Sequence, residues 1–143
     1  MICRILLVLA LVSLCHGGDL DTIKAEPNLE KRSDRALDNA DQEIDAARKA
    51  YAAGDLNGTR QALHEVRASV ELSYDSLQET GKNPRRSPKH FKRAELRIRE
   101  MLRRLRGLED EFSVEDRPPV QEVEKRLQEI HDELLTGIMT KKK

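Results

Sequence analysis

The chain has no tryptophan, and its only aromatic side chains are Tyr51, Tyr74, Phe91 and Phe112. That scarcity argues against nucleic-acid recognition by base stacking. Both cysteines, Cys3 and Cys15, fall in the first seventeen residues, so the remainder has no thiol for a disulfide or a nucleophile. The longest apolar run, Ile5 to Leu14, is interrupted only by Ser13 and is too short for a permanent membrane anchor. No second such stretch follows. There is no Gly-x-Ser-x-Gly, no Gly-rich phosphate loop and no Cys-x-x-Cys-His haem attachment sequence. Net charge is also missing: 26 Lys and Arg balance 26 Asp and Glu. More than a third of the residues are charged, which is too many for a thick α/β core and ordinary for long helices with narrow apolar stripes.

What is present begins with an address. Residues 1–17 have the three parts of a secretory signal: Arg4 as the positive start, the apolar run, and small residues at the exit. Cleavage near Gly17 is expected, which makes the protein secreted or periplasmic. A lipoprotein reading would acylate Cys15, but Leu14 stands before it where such signals take Gly, Ala or Ser. Residues 18–27 read as a mobile lead, and Lys141 to Lys143 as a basic tail.

Between them lie four stretches in which apolar or small residues recur at steps of 3 and 4, the signature of one helical face. The first, residues 28–53, carries Leu29, Ser33, Leu37, Ala40, Ile44, Ala47 and Tyr51 after a candidate N-cap, Asn28. The second, 56–80, carries Leu56, Thr59, Leu63, Val66, Val70, Ser73 and Leu77. The third, 88–112, carries Phe91, Ala94, Ile98, Met101, Leu105, Leu108 and Phe112 behind Ser87-Pro88, a serine cap with proline in the first turn. The fourth, 118–139, opens on Pro118-Pro119 and carries Val120, Val123, Leu127, Ile130, Leu134 and Ile138. Charged helices of this kind gain stability by burying the seams against one another. The expected fold is all-α: an antiparallel up-down-up-down four-helix bundle spanning 28–140. Ser33, Ala40, Ala47, Thr59 and Ser73 are small, so the first two helices should form the tightest pair. Filled seams should leave no cleft. Leu72, Leu96 and Leu135 fall off the seams and are either a dimer face or simply exposed.

The turn Tyr51-Ala52-Ala53-Gly54-Asp55-Leu56, with Ala47 and Leu63, resembles the turn between the two helices of a tetratricopeptide repeat, over residues 46–66. It departs from that pattern at Thr59 and at Glu71. The resemblance occurs once, whereas such repeats stack in arrays, and it implies a tight helical hairpin.

Charge is polarised. From Lys82 to Arg106 eleven Lys and Arg stand against Glu95 and Glu100, leaving +9, and the flanking segments are acidic. The acidic first and fourth helices should flank the basic third one. Arg85, Arg86, Lys89, Lys92, Arg93, Arg99 and Arg106 are the candidate site: a strip for an anionic polymer, lipid headgroups or an acidic protein, without sequence-specific nucleic-acid binding. Arg97 and Arg104 flank the seam and should pair with acidic neighbours. Asn57-Gly58-Thr59 matches an N-glycosylation acceptor and reads equally as the first turn of the second helix.

The alternative is a metal- or haem-binding bundle using His64, His90 or His131, with Met101 or Met139 as haem ligands. Di-iron bundles need Glu-x-x-His on two helices, whereas Gln61 and Gln128 stand three residues before His64 and His131. Glu65 and Glu95 also lie off the seams, so the histidines are expected at surface or boundary positions. No catalytic residue, metal ligand or cofactor is assigned. The function expected is non-enzymatic binding or scaffolding in the cell envelope.

Overall fold

The computed structural model describes residues 20–140. The expected signal sequence, both cysteines and the lysine tail lie outside them. The described residues are all-helical, without a β-strand. The helices are α1 (Leu20–Lys24), α2 (Leu29–Ala52), α3 (Leu56–Glu79), α4 (Lys89–Glu111) and α5 (Pro118–Met139), with a short 3-10 turn at Val114–Asp116. Part of the segment expected as a mobile lead is therefore helical. Its single turn, α1, packs against α2 and buries Ile23.

Local chemistry sets the helix ends. Asn28 Oδ1 accepts from Lys31 N at 2.9 Å and caps α2. Gly54 takes φ +74°, which frees the chain to leave α2 and turn straight into α3. Asp55 then caps α3 by accepting from Gly58 N at 2.9 Å. A Cβ on Gly58 would lie 2.3 Å from Asp55 Oδ2, so the cap and the glycine depend on each other. The Asn57-Gly58-Thr59 tripeptide is thus the first turn of α3, with Thr59 buried. One expected cap is absent: Ser87 does not cap α4, which starts after Pro88 with no side-chain cap at all. Asn83 organises that region instead. Its Oδ1 accepts from Arg85 N and Arg86 N at 3.0 and 3.2 Å, and its carbonyl accepts from Ser87 N.

The seam residues of α4 are all buried, with Phe112 just past its end, as are Val120, Val123, Leu127, Ile130 and Leu134 of α5. In the first two helices Leu37, Ala40, Ile44, Leu63, Val66, Val70 and Leu77 are buried with them in one core. Each fully buried Leu or Ile contributes roughly 1.5–3 kcal/mol relative to exposure. Leu56 departs from its seam and is 40 % exposed, because it lies at the turn end of the hairpin, where α3 begins.

The pairing of helices follows from cross-links. Ser33 Oγ meets Ser73 Oγ at 2.7 Å, and Asn39 Nδ2 donates to Ser69 Oγ at 2.8 Å, so α2 and α3 are antiparallel. They make the most extensive contact of any two helices. His131 faces Glu95 and Gln121 faces Glu109, so α4 and α5 are also antiparallel. Across the two hairpins the direction differs. Arg93, Arg97 and Arg104 reach Asp34, Asp41 and Asp45 in rising order, so α2 and α4 run parallel. Arg126 reaches Glu71 while Tyr74 meets Glu133, so α3 and α5 run parallel too. Basic α4 lies between α2 and α5.

Candidate functional site

The cations of α4 divide into two groups. On the side facing α2, Arg93 Nη1 lies 2.8 Å from Asp34 Oδ2. Arg97 spans Asp38 and Asp41 at 2.8 and 2.7 Å, and Arg104 spans Asp41 and Asp45 at 2.8 and 2.6 Å. Partial burial opposes the charge of Arg97, but Asp41 and Asp38 outweigh it and hold the guanidinium above its ordinary range. Arg99 pairs with Glu95, and Arg103 with Glu100, within α4 itself. Two of the seven candidate strip residues, Arg93 and Arg99, are therefore already committed to carboxylates.

The other five are not. Arg85, Arg86, Lys89, Lys92 and Arg106 are exposed and form no ion pair among the described residues. Four of them cluster at the turn Asn83 organises and the start of α4. Nearby Lys82 is tied to Glu30, which also faces His90 Nε2 at 3.2 Å. The Lys82 hydrogen bond, against the opposing effect of burial, holds the Glu30 carboxyl below its usual range. The first turn of α4 has no acidic residue and no capping side chain, so its free N–H groups add positive potential to the cluster.

The histidines do not converge, and no group of three or more His, Cys, Asp or Glu side chains is arranged to hold a metal ion among the described residues. His64 is exposed. His131 corrects the expectation of a surface or boundary position. It is buried, with Nε2 2.8 Å from Glu95 Oε1 and Nδ1 3.2 Å from Asp132 Oδ1. Glu95, expected off the seam, is only 5 % exposed and is shared between His131 and Arg99. A legible trace existed: Glu95 and Arg99 are four apart, as are Gln128 and Asp132, whose side chains hydrogen-bond. The cluster ties α4 to α5.

The expected absence of a cleft is also corrected. At the end of the molecule where α2 turns into α3, a pocket of about 250 Å³ opens beside the α4–α5 link. Tyr51 and Phe112 stack there with ring centroids 3.8 Å apart. The Tyr51 hydroxyl donates to Asp116 Oδ2 at 3.1 Å and accepts from Ser113 N at 2.9 Å, locking the link onto α2.

Comparison with protein-family models, with curated proteins and with solved structures finds no match. No helix among the described residues is long and apolar enough to cross a membrane.

Proposed function

We propose that this protein is an exported, non-enzymatic antiparallel up-down-up-down four-helix bundle that binds or scaffolds an anionic partner. Its binding surface is the cluster Arg85, Arg86, Lys89 and Lys92, with Arg106 farther along α4. The observation that carries this reading is the unequal treatment of the cations. A chain with balanced charge could pair them all, and α4 pairs Arg93, Arg97, Arg99, Arg103 and Arg104. Apart from Lys82, which is tied to Glu30, the cations around the Asn83 turn are left exposed beside an uncapped helix start. Two antiparallel hairpins, stacked with α2 along α4 and α3 along α5, support the bundle. The tetratricopeptide-like turn belongs to this reading as a way of closing the α2–α3 hairpin tightly.

The test is binding of the protein to heparin, and separately to vesicles containing anionic lipid, as salt is raised. Affinity should fall with salt. Changing Arg85, Arg86 and Lys89 together to Ser should weaken binding roughly a hundredfold, at about 1 kcal/mol per cation near an anionic surface. Absence of binding at low salt, or binding indifferent to the triple change, overturns the proposal. The export step is checked separately by intact mass: a processed chain should begin near Gly18.

A further inference from the structure

The pocket at the α2–α3 turn lies by the end of α4, opposite the Asn83 turn at its start, and has a different character. Its floor is apolar, formed by buried Leu63 and the stacked Tyr51 and Phe112 rings. Pro118 and Pro119 make one wall, and proline rings cannot rotate away from a ligand. The opposite wall is the first turns of α3. The two sides are held in register because Tyr51 bridges Ser113 and Asp116, and Ser113 Oγ donates to the same Asp116 oxygen at 2.8 Å. A shape fixed before binding loses little freedom when it is filled.

At about 250 Å³ the space falls below the 300–1,000 Å³ usual for sites that engulf a whole small molecule. It suits one large apolar side chain. The apolar surface also continues past the mouth. Leu56 is 40 % and Val114 71 % exposed, and they are two of the four large apolar side chains exposed among the described residues. An apolar hole with an apolar lip is how a partner segment is anchored by one side chain and covered by its neighbours. The rim is charged unequally. Glu115 and Asp116 lie on the link side, and Glu115 forms no ion pair among the described residues; Arg60 stands on the α3 side.

We infer that this pocket is a peptide-docking site. It takes one large apolar side chain of a partner protein's segment, with an adjacent lysine or arginine set against Glu115 and Asp116. Arg60 disfavours a second cation on the far side, which makes the site directional. The partner segment is thus apolar and basic, the reverse of the anionic partner proposed for the Asn83 turn, so one molecule could hold both at once.

The test uses the full processed chain and three capped hexapeptides followed by amide NMR. The first is Ser-Gly-Phe-Lys-Gly-Ser, the second has Ser for Phe, and the third has Glu for Lys. The first should give saturable shifts confined to Leu56–Leu63 and Ser113–Arg117. The second should give none, and the third should bind about fivefold more weakly or worse. Glu115→Lys should abolish the preference for the lysine peptide, and Leu56→Ser should weaken the first peptide; both residues are exposed, so the fold is not at stake. The inference is overturned by no saturable shift at millimolar peptide, by equal shifts from the serine peptide, or by no preference for lysine over glutamate. It is overturned equally if these residues shift with protein concentration alone while sedimentation reports a dimer, since the occupant would then be a second copy.

Discussion

The two hairpins of this molecule solve the same packing problem with different materials. Where α2 meets α3, the buried positions include Ser33, Ala36, Asn39, Ala40, Ala47, Ala62, Ser69 and Ser73. Small side chains let the backbones approach, and hydroxyl and amide groups bond across the interface. Where α4 meets α5, the buried residues include Phe91, Ile98, Met101, Leu105, Leu108, Leu127, Ile130 and Leu134. These fill a wider gap with apolar bulk. The first interface is selective for size and polarity; the second contributes more of the large apolar side chains of the shared core. Seam spacing alone does not separate the two, because steps of 3 and 4 occur in both.

Truncation on the bulky side should have the largest effect. Leu105→Ala removes a fully buried side chain from α4 and should cost about 2–5 kcal/mol in urea unfolding. Enlargement is the matching challenge to the small side. Ala40 is fully buried on the stripe that Ser33 begins, and Ala40→Leu should cost about 1–3 kcal/mol by forcing α2 and α3 apart. If Ala40→Leu were neutral, close approach would not be what distinguishes the first hairpin.

His131 tests the one polar device on the bulky side. With His131→Ala, Glu95 keeps Arg99 but loses its buried cross-helix partner, leaving a carboxylate that is 5 % exposed half-satisfied. The expected loss is about 1–3 kcal/mol. Glu95→Gln with His131→Ala together should recover part of it, because the unpaired charge is then gone. A double variant no better than His131→Ala would mean that the histidine acts by filling space.

How far all this was legible follows from what periodicity encodes. The apolar seams name the face each helix buries, and in α4 and most of α5 the named residues are the buried ones. They do not say which neighbour a face meets. That α2 runs parallel to α4 becomes visible only through Asp34, Asp41 and Asp45, whose order matches Arg93, Arg97 and Arg104 once both helices are placed. The burial of Glu95 and His131 was hidden for the same reason: the bond that satisfies each of them across the helix interface comes from the other, 36 positions away. Pairing of Arg97 and Arg104 could be anticipated because both flank the seam. The pocket could not, since it depends on Leu56 staying exposed and on a tyrosine bridging to a link 65 residues on.

The smallest effect expected is also the one that pH controls. Glu124 of α5 is pushed up to about 7, first by partial burial and then by Glu109 on α4, which both repels and hydrogen-bonds it. Asp110 adds repulsion and Arg106 attraction, both also from α4. Its Oε1 is buried without a partner, so ionisation there is poorly compensated. The folded state therefore holds a proton that the unfolded chain releases near 4.5. Between those two values folding binds the proton, so stability should decline as pH rises from about 4.5 to about 7 and level off above. Much of the site is open to water, which shrinks the effect to about 1 kcal/mol. Glu124→Gln should remove this part of the slope and stabilise the protein by about that amount at pH 8, with little change at pH 4. The comparison that decides it is urea midpoints for both proteins at the two pH values. An equal difference at pH 4 and pH 8 would show that the carboxyl does not exchange a proton on folding, and the α4–α5 interface would then be as indifferent to pH as the serine-lined one opposite.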